Sequence, residues 1–330
     1  MGPAVSSNVK GAVLALIAFG LFSTHDVFIK TLGATYSPVQ IVFFSVLLSF
    51  PLATIMLMRD AKPGTLVPVH PWWMAVRTMG AVVTGVSAFY AFSALPLTQT
   101  YAILFATPLL ITVLSIPILG ETVRLQRWMA VIVGLIGVMV VLRPGSTDLT
   151  LGHAAAILAA FGGAFASIVV RKIGAEERPV VMLLYPMVAN FVVMGAALAF
   201  VYKPMPIEHL GLLAIISLMA WIAGRIIITA YQTGEAAIVA PMQYSQILWA
   251  TAYGLLFFGE TTDLYTALGA TIIIASGLFI VFRESRSGAS KNMPVLRTRS
   301  RIGTPSTLRL SGLMTSGRFR DRIKTAQDEA

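Results

Sequence analysis

The sequence predicts an all-α membrane protein with ten transmembrane helices, arranged as two inverted repeats of five helices each. Three observations support this prediction: an apolar composition, ten long hydrophobic runs, and an internal repeat that covers most of the chain. The 330 residues are 57% hydrophobic and 12% charged, whereas a soluble domain carries about 25% charged residues. So few polar side chains suit a surface that faces lipid, and they exclude a soluble globular enzyme, a disordered chain and a fibrous repeat.

The hydrophobic runs have the length that a bilayer core requires, which is about 20 residues in a helix. Most of them end at charged residues, proline or glycine, as at Gly120-Glu121, Arg143-Pro144-Gly145 and Gly259-Glu260. Long and nearly continuous runs are typical of helices, because β-barrels show short alternating segments instead. The ten predicted spans are 10–32, 37–58, 71–94, 98–119, 125–143, 150–170, 179–201, 208–231, 236–258 and 263–283.

The distribution of Lys and Arg at the span ends predicts the orientation. The side that holds the N-terminus carries nine such residues, and the other side carries only Lys30, Arg143 and Lys203. Both termini are therefore predicted to be cytoplasmic, which agrees with an even number of spans. The tail, 284–330, has ten Lys/Arg against four Asp/Glu. We expect it to be disordered, and either to lie on anionic lipid or to be solvated.

The two halves of the chain resemble each other at a fixed offset. Residues 98–122 match residues 237–261, which lie 139 positions later, and Lys30 corresponds to Lys172. Because each half has five spans, an odd number, the second half is inserted upside down relative to the first. Inverted repeats are typical of transporters, which place a site near the bilayer midplane between the halves. The predicted units are a first repeat at 10–143, a second at 150–283, and the tail at 284–330.

Several of these residues together match the pattern of a known family. They are the Gly-Glu pairs that close the fourth and ninth spans, Pro108 in the fourth span, Lys30 and Lys172 at the ends of the first and sixth spans, and the glycine-rich fifth and tenth spans. On these residues the chain, over about 10–283, resembles the EamA-type transporters of the drug/metabolite transporter superfamily.

That resemblance implies ten helices in two repeats, with the third, fourth, eighth and ninth around a central cavity and the fifth and tenth at the periphery. It also implies movement of small metabolites across the bacterial inner membrane. Two departures concern substrate contacts. Ser45 stands in the second span where many relatives have an arginine, and Ile247 stands in the ninth span where Pro108 stands in the fourth.

Charged side chains inside membrane spans are costly and usually face the protein interior or water. His25 and Asp26 in the first span are candidates for handling protons or substrate, since a carboxyl group in a low dielectric can exchange a proton. Lys30, one turn further on, either snorkels to the interface or pairs with Asp26. Arg77 in the third span is a gating candidate or a snorkelling residue. Arg225 in the eighth span is a candidate for substrate binding, because its helix is expected to line the cavity.

Polar and aromatic residues cluster in the ninth span. Gln243 and Gln246 fall on one helical face beside Trp249, where they either line a solvated site or bond neighbouring helices. Tyrosines in other spans are plausible wall residues. The predicted substrate-binding residues are Tyr90, Tyr101, Arg225, Tyr231, Gln243, Gln246 and Trp249.

Other features are predicted to be structural. Glu121 and Glu260 close their helices and suit capping and loop contacts. The small residues of the sixth span, 159–164, allow close helix packing. Trp72-Trp73 suits an interfacial anchor.

The chain has no cysteine, its four histidines lack metal-ligand spacing, and it contains no P-loop. We therefore expect no metal site, no cofactor and no enzyme activity, and transport that is not driven by ATP. The sequence predicts a secondary transporter for a small organic metabolite, such as an amino-acid, vitamin or nucleotide-like solute, that works by alternating access. Riboflavin or S-adenosylmethionine uptake and amino-acid or drug efflux all remain open. The expected partners are a small-molecule substrate and the lipid bilayer, without nucleic acid, and the oligomeric state is left open. The alternative is a membrane scaffold, sensor or lipid enzyme, which leaves the inverted repeat unexplained.

Overall fold

The computed structural model describes residues 3–58, 65–120, 123, 125–145, 148–174, 176–234 and 236–286. Within these ranges, nine helical segments are long and apolar enough to cross a membrane. The prediction of an all-α membrane protein is confirmed. The helices are α1 (Pro3–Gly33), α2 (Pro38–Met58), α3 (Pro71–Ala94), α4 (Leu97–Leu104), α5 (Thr107–Leu119), α6 (Leu125–Leu142), α7 (Leu151–Ile173), α8 (Pro179–Val201), α9 (Ile207–Thr233), α10 (Ala236–Val239), a 3₁₀ helix (Ala240–Tyr244), α11 (Ser245–Phe258) and α12 (Leu264–Arg286).

The ninth predicted span, 236–258, is broken rather than continuous. It consists of α10, the 3₁₀ helix and α11, and α11 has only 14 residues. The fourth span breaks as well, at Phe105 and Ala106 between α4 and α5. The second break follows Tyr244, which is the counterpart of Phe105 at the repeat offset of 139. The ninth span is therefore helical over the predicted range but interrupted, and each half has one broken span.

A proline lies at the interruption of the helix in each half. Pro108 lies in the first turn of α5, and Pro241 lies in the first turn of the 3₁₀ helix. A proline has no N–H to donate, and its ring clashes with the carbonyl four residues earlier, so a straight helix ends before it. The second half has Ile247 at the position of Pro108, and its proline, Pro241, stands six residues earlier, where α10 gives way to the 3₁₀ helix.

The long helices pack in pairs, and each pair combines one helix of the first half with one of the second. α1 packs along α9, and its counterpart α7 packs along α3. Both contacts are close: a Cβ atom added at Gly11 would lie 2.7 Å from Gly234 Cα, and one added at Gly162 would lie 2.5 Å from Thr84 Oγ1. The small residues of the sixth span therefore serve helix packing, as their composition predicts.

The fifth and tenth spans, α6 and α12, cross each other through glycine. A Cβ atom added at Gly137 would lie 2.9 Å from the carbonyl oxygen of Gly269, and one added at Gly269 would lie 2.6 Å from that of Gly137. Backbone therefore meets backbone at this crossing, and a side chain at either position would force the helices apart.

Asp263 caps the start of α12, just outside the membrane-spanning segment. Its Oδ1 accepts hydrogen bonds from the backbone N–H groups of Tyr265 and Thr266, at 2.9 and 3.0 Å. Its Oδ2 lies 3.1 Å from Arg143 Nη2, at the end of α6. Partial burial acts to raise the pKa of Asp263, but the Thr266 hydrogen bonds, the Arg143 charge and the Tyr265 N–H together hold that pKa below its usual value.

Candidate functional site

Four candidate residues meet in one buried hydrogen-bonded group, here termed the Asp26 cluster. His25 Nδ1 lies 2.7 Å from Asp26 Oδ1, and the Tyr101 hydroxyl donates to Asp26 Oδ2. Gln246 Nε2 donates to the Tyr101 hydroxyl oxygen at 3.3 Å. The four residues are 1–3% exposed. A buried polar group is tolerated only when it is hydrogen-bonded, so these side chains fix one another's positions.

The Asp26 cluster joins the two halves of the protein. Asp26 and His25 belong to α1, Tyr101 belongs to α4, and Gln246 opens the first turn of α11. The chain of bonds therefore runs from the first repeat into the second, next to the point where the ninth span breaks. Helix breaks expose backbone groups that a substrate or an ion can use, so this is where a transporter site is expected.

Aromatic rings line the region around the two breaks. Phe105 and Tyr244, which are counterparts in the repeat, meet edge to face with ring centroids 5.1 Å apart. Trp249 stacks on Tyr253 at 5.9 Å, and the Tyr253 hydroxyl lies 3.0 Å from Thr24 Oγ1 on α1. Phe105 and Tyr244 thus lie at the pseudo-twofold axis that relates the halves.

The other predicted site residues lie outside the Asp26 cluster. Tyr90 and Gln243 are half-buried, and Tyr231 packs against the hydrophobic cluster that α9 forms with α1. Arg225 is exposed, with its guanidinium 5.8 Å from the Trp221 ring. Arg77 is buried, and its Nη1 donates to the carbonyl of Met182 on α8.

Lys30 does not pair with Asp26, so the interpretation of these two residues as an i,i+4 pair is wrong. Its Nζ lies 2.8 Å from Glu260 Oε1 and donates to the carbonyl of Leu95 at 2.6 Å. The second carboxylate oxygen, Glu260 Oε2, accepts the N–H of Leu97 at 2.9 Å. We call Lys30, Glu260, Leu95 and Leu97 the Lys30 clamp. The predicted capping role of Glu260 is confirmed, because Leu97 begins α4; Glu121 lies outside the described residues.

The Lys30 clamp has an electrostatic reason to form. The carboxylate meets the N-terminus of α4, where the helix dipole is positive, and the ammonium meets the carbonyl just past the C-terminus of α3, where the dipole is negative. Sequence reasoning missed this pair because Lys30 and Glu260 stand far apart in the chain. Its only signal was that both residues recur in the other half, as Lys172 and Glu121.

The two ends of the bundle are not equivalent. At the end that contains Lys30, α4 packs along α11 and α1 packs on α3, where a Cβ atom added at Gly33 would lie 2.3 Å from Ser93 Cβ. At the opposite end, the counterpart pairs are α5 with α10 and the 3₁₀ helix, and α7 with α9. Among the described residues neither counterpart pair makes a comparably extended contact. The structure is therefore closed at the Lys30 end and less tightly packed at the other.

No group of three or more acidic or histidine side chains that would suit a metal ion is present in the described part of the chain. The polar groups of the Asp26 cluster and the surrounding rings instead suit an organic solute. A bundle of membrane-crossing helices in two inverted halves, with a broken helix in each half beside a buried polar cluster, defines a multi-pass membrane transporter.

Comparisons with known proteins identify the family. The model of the EamA-like transporter family matches residues 9–143 and 150–282, and the chain belongs to this family. It is a transporter of small metabolites and not an enzyme.

Curated relatives carry transporter names. An S-adenosylmethionine uptake transporter of Rickettsia prowazekii is 27% identical over 293 residues, which is 88% of this chain and 99% of the relative. A riboflavin transporter of Rhizobium johnstonii is 27% identical, and the match covers 85% of this chain and 94% of the relative. A pseudopaline exporter of Pseudomonas aeruginosa is 26% identical, and the match covers 81% of this chain and 94% of the relative. A solved crystal structure with 16% identity shares the fold, with a TM-score of 0.52 over 86% of this chain and 99% of its own.

Proposed function

We propose that the protein moves a small organic metabolite with a planar ring across the bacterial inner membrane by alternating access. The substrate binds between the broken fourth and ninth spans, beside the Asp26 cluster. The observation that carries this proposal is the position of the two breaks, which coincide in the repeat and bring Phe105 against Tyr244. A solute at this position contacts both halves, so a movement of one half against the other transfers it from one side to the other.

The surrounding side chains supply the contacts that such a solute needs. The amides of Gln243 and Gln246 and the hydroxyl of Tyr101 offer hydrogen bonds, and Trp249, with Tyr90 and Tyr231, offers aromatic surface for stacking. Arg225 offers a planar cation for a carboxylate or phosphate group. Its exposure within a membrane-spanning helix supports a position that faces a water-filled path, since charged side chains are rarely placed against lipid.

The proposed orientation has both termini in the cytoplasm, and nine Lys/Arg against three at the span ends support it. The Lys30 end then faces the periplasm, and the structure corresponds to the state closed on that side. The moving bodies in this proposal are the repeats at 10–143 and 150–283, and the tail at 284–330 takes no part in the movement. Reporter fusions at Gly145 and Ala330 test the orientation: matching signals at the two sites would contradict it.

The relatives guide the choice of probe solutes. The names of two of them specify S-adenosylmethionine and riboflavin, and both of these metabolites contain a planar ring system. We propose that this chain carries a solute of that kind, with the direction of net flux set by the gradients and not by the fold.

Reconstituted protein provides the test. Purified protein in liposomes is assayed for exchange of radiolabelled S-adenosylmethionine and riboflavin, and binding is checked by the rise in melting temperature that a ligand of the folded state produces. Gln246→Leu is expected to abolish exchange. Gln99→Leu is the matched control, because Gln99 is half-buried on α4 but bonds His153, at 3.0 Å, rather than the Asp26 cluster. Equal exchange by both variants would overturn the proposed site.

A further inference from the structure

We infer that the Asp26 cluster is a proton-binding site whose occupancy sets how firmly the two halves are held together at the Lys30 end. The inference rests on the proposed function and adds the coupling ion to it. The proton is bound by the pair of Asp26 and His25, and Tyr101 and Gln246 transmit the change to the second half.

The first argument is electrostatic. Asp26 and His25 are 1% and 2% exposed within a membrane-spanning helix, so a net charge on the pair is expensive in that low-dielectric surrounding. With Asp26 ionised and His25 neutral, the pair carries one negative charge. One proton from water makes the pair neutral overall, whether it resides on the carboxylate or on the imidazole. Because both groups are buried, the pair exchanges its proton only when the conformation admits water.

The second argument concerns how the charge is transmitted. The Tyr101 hydroxyl has a single proton, which it donates to Asp26, with Ser23 Oγ on the same helix 3.5 Å away as a weaker acceptor, and its oxygen accepts from Gln246 Nε2 at 3.3 Å. A hydrogen bond to a carboxylate is roughly twice as strong as one between neutral groups. A proton on the Asp26 carboxylate therefore weakens the bond from α4 to α1 and, through Tyr101, the bond to α11; a proton on the imidazole weakens them less, because the carboxylate stays charged. The contact between α4 and α11 is one of the two that close the Lys30 end.

Other titratable groups lie on the helices that pack against α1, α4 and α11. Of these, His25 and Tyr101 contact Asp26 directly, Lys30 is held in the Lys30 clamp, and Arg77 bonds the Met182 carbonyl. Those groups include His25 and Lys30 on α1, Arg77 and Tyr90 on α3, Tyr101 on α4, His153 on α7, Glu208, His209, Arg225 and Tyr231 on α9, Tyr244 on the 3₁₀ helix and Tyr253 on α11.

The absence of cysteine from the sequence makes a direct test practical. Ala34→Cys and Thr261→Cys place two spin labels across the Lys30 end, at exposed residues. Their separation is measured by pulsed electron resonance on the full chain in lipid nanodiscs, without substrate, between about pH 5 and pH 9, a window that covers the range over which burial and charges shift a carboxyl group or a histidine. We expect the short-distance population to fall as the pH is lowered, in a single one-proton transition.

Variants of two aspartates decide the origin of that transition. Asp26→Asn, which is neutral at every pH, is expected to show the low-pH distribution throughout. Asp263→Asn is the matched control, since Asp263 lies outside the membrane, and it is expected to keep the wild-type transition. An unchanged transition in Asp26→Asn, or no transition in the wild type, overturns the inference.

A measurement on the wild type covers the case in which Asp26→Asn does not fold. Liposomes that contain the pH indicator pyranine report whether protons move together with radiolabelled S-adenosylmethionine or riboflavin. Movement of solute without protons leaves the proposed function standing and overturns the coupling. A distance transition that depends on Asp26, without movement of either solute, supports proton binding and contradicts the proposed substrate class.

Discussion

Replacement of Lys30 by methionine removes the cation from the Lys30 clamp while keeping a side chain of similar length. The Lys30 and Glu260 side chains are 11% and 19% exposed, and their charged atoms lie 2.8 Å apart. Breaking a fully buried pair costs about 3–5 kcal/mol and breaking an exposed pair about 0–1 kcal/mol. The clamp lies between these limits and closer to the buried one, so we expect Lys30→Met to lower the free energy of unfolding by about 2–3 kcal/mol.

The same free energy bears on the conformational equilibrium. If the clamp forms only when the Lys30 end is closed, its loss shifts the ratio of closed to open protein by the same amount. A loss of about 2 kcal/mol corresponds to roughly a 30-fold shift, because each 1.4 kcal/mol is a factor of ten. The variant is therefore expected to populate a state in which the Lys30 end admits water. The hydroxyl oxygens of Thr98 and Thr251 are 3.4 Å apart at this end. A cysteine in place of Thr251 would react with a thiol probe when water enters between the two residues, and faster labelling would therefore detect the open state.

A double-mutant cycle measures the pairwise contribution. Unfolding in sodium dodecyl sulfate is followed for Lys30→Met, Glu260→Gln and the double variant. The double variant is expected to be at least about 1 kcal/mol more stable than the sum of the single effects predicts. The pair of Arg143 and Asp263, whose side chains are 23% and 44% exposed, is the control and is expected to couple by less than about 1 kcal/mol. Additive single effects for Lys30 and Glu260 would refute the interpretation of the clamp as a closing contact.

Three further changes have defined outcomes. Gly137→Leu is expected to lower the free energy of unfolding in detergent by about 1–3 kcal/mol, because a Cβ atom at this position would lie 2.9 Å from the Gly269 carbonyl oxygen. Unchanged stability would show that α6 and α12 are not firmly packed. Asp263 has a lowered pKa in the folded state, so its contribution is fully present above the ordinary aspartate value of about 3.9 and is lost as the pH falls through the native value. Melting curves should therefore show wild type more stable than Asp263→Asn at neutral pH, with a difference that vanishes in acid; a difference that grows in acid would contradict this sign. Tyr101→Phe should still insert into the membrane, with a free energy of unfolding within about 1–3 kcal/mol of the wild type, but should lose solute exchange. Normal exchange by this variant would show that the Tyr101 hydroxyl takes no part in the mechanism.

The membrane fold could be predicted from the sequence because lipid imposes simple rules. The spans follow from unbroken apolar length, and the inverted architecture follows from the matching Gly-Glu pairs of two halves with an odd number of spans. The glycines of those pairs have positive φ angles in both halves, 69° at Gly120 and 63° at Gly259. That conformation ends a helix and is easiest for glycine, so the repeat is visible in the sequence.

The contacts of the candidate site were harder to predict. His25, Asp26, Tyr101 and Gln246 each stood out as polar residues in apolar runs. Their meeting could not be predicted, because it depends on how α1, α4 and α11 pack. The breaks in the fourth and ninth spans were not predicted either, because hydrophobic length locates a span without showing where its helix is interrupted, although Pro108 and Pro241 stand at those interruptions.

The ring pair at the pseudo-twofold axis has a thermodynamic consequence. In a perfectly symmetric carrier, a twofold rotation would relate the inward-open and outward-open states, and the two states would have equal free energies when empty. Here the two counterpart positions differ, because one half has the plain ring of Phe105 and the other has the hydroxyl-bearing ring of Tyr244. When the halves exchange conformations, the two rings exchange positions as well. The two states therefore present a solute with chemically different faces and bind it with different strength. In a cycle with no external gradient such a difference cannot drive net movement, because detailed balance requires equal forward and reverse flux. It determines instead on which side of the membrane the carrier becomes half-saturated at the lower solute concentration.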